Sequence, residues 1–177
     1  MQDNKLDLEY TSAQKLFEKT ENIIWNIEDG PILVGINIRS PENIGGLIRL
    51  AGTVGCKEVI FATDEENHKM AKIKKTSTTG FNSVKWKFTK LNEWKQNIPS
   101  DYDIIALETT TDATNIYANK IKTKSVILVG DERYGIDMEN LKLCQKHVFI
   151  PMNGPVKSLN VVQAATIGLY EILRASL

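Results

Sequence analysis

The run Val126-Ile127-Leu128-Val129 is apolar at four consecutive positions and breaks off at Gly130, Asp131 and Glu132. A strand with one wet face alternates apolar and polar residues, so an unalternating run needs cover on both faces. Strands of a mostly parallel sheet receive that cover from flanking helices. Similar short runs, rich in β-branched residues, recur at Ile32 to Asn37, Glu58 to Phe61, Ser83 to Phe88, Tyr102 to Leu107 and His147 to Ile150. Helical or irregular stretches separate them, which predicts an α/β domain. The polar segment Asp112 to Lys124 reads as a short helix or an exposed connection. Ahead of the pattern, Ala13, Leu16, Phe17, Ile23 and Ile24 have helical spacing, with Thr11 or Ser12 in place to cap. This predicts a helical extension over residues 1–30 and one main domain over 31–177.

A chain of 177 residues buries roughly 70% of the surface its unfolded form exposes, so its core needs no disulfides. Cys56 and Cys144 are expected to be free thiols, and the polar start Met1-Gln2-Asp3-Asn4-Lys5 has no apolar signal core. A reducing cytoplasm is the expected location. No apolar run approaches the ~18 to 20 residues of a membrane helix. Lys and Arg total 22 against 22 for Asp and Glu, which argues against non-specific coating of nucleic acid. Lysines nevertheless cluster at 69, 72, 74, 75, 85, 87, 90 and 95, either as a local basic patch or as a solvated surface.

Several chemistries lack their residues. No G-x-G-x-x-G or G-x-x-x-x-G-K-[ST] loop is present, and no G-x-S-x-G elbow. His68 and His147 are the only histidines, neither in H-E-x-x-H nor near a cysteine pair, so no metal site is expected. His147 sits in an apolar run and reads as structural.

Three segments carry binding character. In the first, Ser40-Pro41-Glu42-Asn43 leads from a strand into a helix, with Ser40 or Asn43 as cap. Ile44, Leu47, Ile48 and Ala51 share one face of it, while Gly45, Arg49 and Gly52 share another. Each interior glycine costs ~1 kcal/mol relative to alanine, so something approaches that backbone closely. Two readings stand: a site arginine, or tight helix packing with Arg49 as a surface ion-pair donor. In the second, the strand ends at Gly130 and Asp131-Glu132-Arg133-Tyr134-Gly135 follows. Ligands of open α/β sheets bind at such strand ends, and Gly130 would admit one to the main chain. The same residues also read as an acidic turn with Gly135 at positive φ. The third, Ile150-Pro151-Met152 to Ser158-Leu159-Asn160, is an apolar, proline-bracketed loop entering a helix, suited to a flat heterocycle such as adenine. Ser158 and Asn160 also read as simple caps.

The final helix is apolar around most of its circumference, leaving a thin polar stripe at Gln163, Thr166, Tyr170 and Arg174. Such a helix needs burial on nearly all sides. One face on the sheet and another on a second copy would supply it, which predicts a symmetric homodimer.

Taken together, the segments resemble the three motifs of the SPOUT superfamily of RNA methyltransferases, in its SpoU/TrmH branch of ribose 2′-O-methyltransferases. The resemblance runs from about Ile32 to Leu173. It rests on Asn43, Gly45, Arg49 and Ala51, then Gly130, Glu132 and Gly135, then Ile150-Pro151-Met152 and Ser158-Leu159-Asn160-Val161, with Lys75-Thr76-Ser77-Thr78-Thr79-Gly80 as a further familiar turn. It implies a mostly parallel six-stranded sheet flanked by helices, with a C-terminal trefoil knot at about 125–175. S-adenosylmethionine would be held by Leu107 or its neighbours, Gly130, Ile150, Met152 and Leu159. Arg49, Asn43, Glu132, Ser158 and Asn160 would form the catalytic set, assembled across a homodimer interface. Gly46, Leu50 and Asp131 depart from the commoner pattern without removing a catalytic group.

The expected activity is methylation of an RNA ribose 2′-hydroxyl, with tRNA favoured and rRNA the other substrate class. A non-catalytic knot-fold protein that binds RNA or assists ribosome assembly is the alternative. No separate N-terminal RNA-binding domain is expected, which leaves RNA contact to the main domain, the N-terminal helix, the lysines or a partner.

Overall fold

The computed structural model describes residues 12–18, 25–131 and 133–177. After a short helix α1 (Ala13–Glu18) come β1 (Ile32–Ile36), α2 (Pro41–Val54), β2 (Glu58–Ala62), α3 (Met70–Ser77), α4 (Gly80–Ser83) and β3 (Lys85–Thr89). The second half adds β4 (Asp103–Leu107), β5 (Thr114–Asn115), β6 (Ser125–Val129), α5 (Met138–Leu141), β7 (Lys146–Phe149) and α6 (Val161–Ser176). The strands form one sheet in the order β3-β2-β1-β6-β4-β7-β5, and every strand pair is parallel.

Each of the six apolar runs becomes a strand. The expected count of six is corrected to seven by β5, which lies inside the polar Asp112 to Lys124 segment. Thr114 and Asn115 pair with Val148 and Phe149 through backbone alone, so their side chains carry no strand pattern. Buried Ile116 opens the 3-10 turn that follows and anchors the segment.

Consecutive apolar residues are explained by two cores. Leu33, Val59, Phe61, Ile105, Ile127 and Val148 point to one face, where α2, α3 and α6 cover them. Val34, Ile60, Ile104, Ala106, Val126 and Leu128 point to the other. That second face is covered mainly by irregular chain and not by long helices. Fully buried Trp94 donates from Nε1 to Asn140 Oδ1 at 2.6 Å, and Tyr102 Oη donates to the Gly30 carbonyl at 2.9 Å. With both bonds made, the polar edges of these rings enter the interior without an unpaired donor.

Local chemistry sets the helix ends. Ser40, rather than Asn43, caps α2 by accepting from Asn43 N, with Pro41 in the first turn. In the N-terminal extension, Ser12 Oγ accepts from Lys15 N at 3.2 Å. Thr11, Ile23 and Ile24 lie outside the described residues.

Helix α6 buries Val161, Ala165, Leu169 and Ile172 against the sheet and α2. Gln163, Tyr170 and Arg174 are exposed, as expected of its polar stripe, whereas Val162, Ile167 and Leu173 are only half-covered by this chain. Glu171 is the unforeseen buried charge on this helix. Arg174 Nη2 meets it at 2.6 Å, leaving the carboxylate paired.

Candidate functional site

Strand order reverses around β1 and β6, and open parallel sheets bind ligands beyond the carboxyl ends of strands near such a point. A hollow of about 670 Å³ lies there, beyond the ends of β4, β6 and β7. Leu107, Gly130, Ile150, Met152 and Leu159, the five positions expected to hold the cofactor, all border it, and so does Ser158.

The wall is tied together by a residue that sequence reading missed. Glu108, directly after β4, accepts from Thr109 N at 2.9 Å and from Ile136 N at 3.0 Å. A carboxylate just past a buried strand end was the available signal. Asp131 Oδ1 accepts from Arg133 N and Tyr134 N, while Gly135 N donates to the Asp131 carbonyl at 2.8 Å. This is the acidic turn, and Gly135 takes φ 68° within it. The bare Gly130 first serves that turn, because a Cβ there would lie 2.3 Å from the Gly135 carbonyl carbon. On the opposite wall, Lys157 Nζ donates to the Met152 carbonyl at 2.9 Å and closes the loop on itself.

A second group forms where α2 meets α6. Asn160 Nδ2 donates to Asn43 Oδ1 at 3.0 Å, joining residues far apart in sequence. The Asn160 side chain also accepts from Val162 N at 2.9 Å, and Gln163 Oε1 accepts from Asn160 N. Asn160 is therefore both a helix cap, with a reciprocal partner, and a link to Asn43. Ser158 makes no side-chain hydrogen bond among the described residues. The departure at Gly46 has a steric reason: a Cβ there would stand 2.9 Å from Val162 Cγ2.

Arg49 belongs to neither group. The glycine stripe beside it is helix packing, since a Cβ on Gly45 would overlap Thr76 and sit 2.8 Å from the Ile73 carbonyl. Gly80, at the end of the Lys75 to Gly80 turn, presses on the Arg49 backbone in the same way. The Arg49 side chain is exposed, makes no ion pair among the described residues and does not border the hollow. Glu132 lies outside the described residues.

Two other expectations have structural answers. Within the lysine cluster, Lys72, Lys85 and Lys87 pair with Glu42, Glu28 and Glu58, so part of it is a neutralised, solvated surface. His147 is structural: its ring nitrogens meet Asp112 at 3.0 Å and the Leu141 carbonyl at 3.1 Å. The Asp112 hydrogen bond raises the His147 pKa, and the same bond lowers that of Asp112. Among the described residues no three His, Cys, Asp or Glu gather as a metal site, and no helix is long and apolar enough to cross a membrane.

A parallel sheet with a hollow at its strand ends, walled by turn and loop backbone in place of a glycine-rich phosphate loop, defines an α/β ligand-binding architecture. The chain belongs to the SpoU rRNA Methylase family, whose model matches residues 30–170. It is 27% identical over 175 residues to the tRNA (guanosine(18)-2′-O)-methyltransferase of Aquifex aeolicus, covering 94% of this chain and 80% of that one. It is 27% identical over 169 residues to the 23S rRNA (guanosine-2′-O-)-methyltransferase RlmB of Haemophilus influenzae, covering 94% and 69%. The SpoU methyltransferase AviRb from Streptomyces viridochromogenes, solved in complex with AdoMet, superposes with a TM-score of 0.72 at 25% identity. That alignment covers 82% of this chain and 60% of AviRb.

Proposed function

We propose that this chain is an S-adenosylmethionine-dependent RNA ribose 2′-O-methyltransferase, acting on tRNA ahead of rRNA. One observation carries the reading: in a member of the SpoU family, all five cofactor positions border a single hollow. The residues present fit the cofactor. Pockets of 300 to 1,000 Å³ suit ligands of its size, and about 670 Å³ falls within that range. Leu107, Ile150 and Leu159 supply apolar walls for an adenine ring, and the backbone beside Gly130 and Met152 supplies hydrogen-bonding groups. Bound there, S-adenosylmethionine supplies an electrophilic sulfonium methyl.

The chain's own groups prepare the acceptor. A ribose 2′-hydroxyl must lie in line at near-attack distance and release its proton to solvent water. The planar guanidinium fork of Arg49, which has donors and no acceptor, suits it to clamp the phosphate beside that hydroxyl. The Asn43–Asn160 bond fixes α2, which carries Arg49, against the start of α6. Ser158 offers a hydroxyl to the ribose, and Glu132 orients the cationic partners.

A second copy completes the site in this reading. Arg49 stands clear of the hollow of its own chain, and α6 keeps half-covered apolar residues, which support a homodimer with an active site shared between protomers. We place a trefoil knot at about 125–175, supported by β6 lying between β1 and β4 and β7 between β4 and β5. Residues 1–30 act as an extension to this domain. A cytoplasmic setting is supported by the free thiols of Cys56 and Cys144, which burial pushes up to about 12.

Calorimetric titration with S-adenosylmethionine, combined with nucleoside analysis of RNA from cells with and without the protein, tests the reading. The expected result is saturable binding and loss of one 2′-O-methylated nucleoside. No cofactor binding and an unchanged nucleoside profile would support the non-catalytic alternative. A concentration-independent monomer mass in light scattering would remove the shared active site.

A further inference from the structure

Beside the hollow stands an aromatic ring that the proposed chemistry does not use. Tyr134 is 71% exposed, and its hydroxyl has no hydrogen-bond partner among the described residues. The Arg39 guanidinium carbon lies 5.9 Å from the ring centroid and that of Arg133 lies 5.7 Å from it. Tyr134 and Arg133 belong to the turn at the rim of the hollow, whereas Arg39 is on the elbow between β1 and α2, just ahead of Asn43. Two segments, the turn after β6 and the elbow after β1, thus converge on one surface point.

Among the described residues, the side chains that expose charge at that point are the guanidinium groups of Arg39 and Arg133. Asp131 approaches Arg39 at 3.6 Å, but its side chain is 6% exposed against 67% for Arg39. One Asp131 oxygen is also held by the turn's own N–H groups. The surface continues into a smaller groove bordered by Arg39, His68 and Lys69 and by one acid, Glu65, where the His68 ring stacks on Phe88 at 3.6 Å. An open aromatic face flanked by guanidinium groups is the chemistry that holds unpaired nucleotides: the ring stacks a base and the forks take phosphate oxygens.

Resting on the methyltransferase reading above, we infer that Tyr134, with Arg39 and Arg133, is the platform that receives the unpaired nucleotide next to the target ribose. The platform is a positioning and specificity element. It selects RNA whose target lies in a loop or single strand, because a base held within a helix has no free face to stack. The phosphate of that nucleotide then runs across Arg39 toward the groove of His68 and Lys69.

The test measures two affinities for each variant of the full chain: S-adenosylmethionine by calorimetry, and a fluorescein-labelled single-stranded oligoadenylate by anisotropy at several salt concentrations. Tyr134→Ala is expected to weaken oligonucleotide binding on the order of tenfold, and by more than it weakens cofactor binding, while Tyr134→Phe stays within about twofold. Arg39→Ala, clear of the hollow, should keep cofactor affinity and reduce the log–log salt slope by about 0.7, the loss of one phosphate contact to a single strand. Unchanged oligonucleotide binding in Tyr134→Ala overturns the platform. So does a loss confined to the cofactor, which would make Tyr134 a lid, or a changed mass in light scattering, which would make it an interface residue. If the unsubstituted protein binds neither probe, the methyltransferase reading falls first and the platform with it.

Discussion

The hollow and the Arg49 flank are held in opposite ways. Every wall of the hollow is tied by the chain itself: Glu108 holds the turn after β6, Asp131 closes that turn, and Lys157 closes the facing loop. Arg49 has a rigid backbone, wedged between Gly80 and its own helix, and a side chain with no ion pair among the described residues. A seat for a cofactor gains from being formed in advance, because ordering it on binding would cost affinity. A cation meant for a substrate phosphate gains from standing exposed, where a phosphate can reach it.

The sharpest way to break this contrast is Arg49→Ala. Removing a clamp that holds the substrate phosphate and aligns the hydroxyl should cost on the order of 10²-fold in kcat/KM, and S-adenosylmethionine affinity should stay unchanged in the same calorimetric titration. Equal losses in rate and cofactor affinity would show that Arg49 belongs to the seat after all. Gly130→Ala probes the other side. Its Cβ would collide with the Gly135 backbone, so the turn must shift, with an expected cost of about 1 to 3 kcal/mol in denaturant unfolding and weakened cofactor binding.

Asn160 lies between the two regions and tests whether they are separable. Asn160→Ala should lose about 1 kcal/mol of stability through the missing cap, together with methyl transfer. Asn160→Asp retains the cap acceptor for Val162 N but replaces the amide that donates to Asn43. Its melting temperature should stay near that of the parent while transfer still falls, and retained transfer would reduce Asn160 to a cap.

The smallest effect is at the His147–Asp112 pair under the hollow's outer wall. The His147 pKa is raised in the fold, so its contribution is complete below about pH 6.5, the unfolded value, and fades as pH rises through the higher folded value. Asp112 is lowered, so its contribution is present above about pH 3.9 and disappears as pH falls further. Thermal melts between these limits and pH 9 should show a shallow alkaline decline that His147→Gln removes. A parent profile already flat through that range would mean the pair contributes nothing.

How much of this was legible depends on how far each residue's role reaches. The six apolar runs became strands because burial on both faces is written into consecutive positions, and Ser40-Pro41 announced the start of α2. β5 left no mark, since two residues pairing through backbone need no particular side chains. The glycine stripe on α2 correctly signalled a close approach, but only the fold identified α3 and α4 as what approaches. Glu108 left only the signal of a carboxylate just past a strand end and Arg39 left none, because their partners lie on other segments, Ile136 for one and Asp131 with Tyr134 for the other.

By itself, the order of residues determined the layered α/β class, the family motifs and the five positions that came to border one hollow. The class follows from local rules, namely the two-residue period of a strand, the caps of a helix and the need of apolar runs for cover, while the five positions follow from the resemblance to the SpoU/TrmH motifs. The tertiary structure alone decided that Asn160 would meet Asn43, that Gly130 would yield its side-chain space to Gly135, and that Arg49 would stand outside the hollow. Each of these depends on where a parallel sheet brings distant strand ends together, and no local pattern encodes that distance.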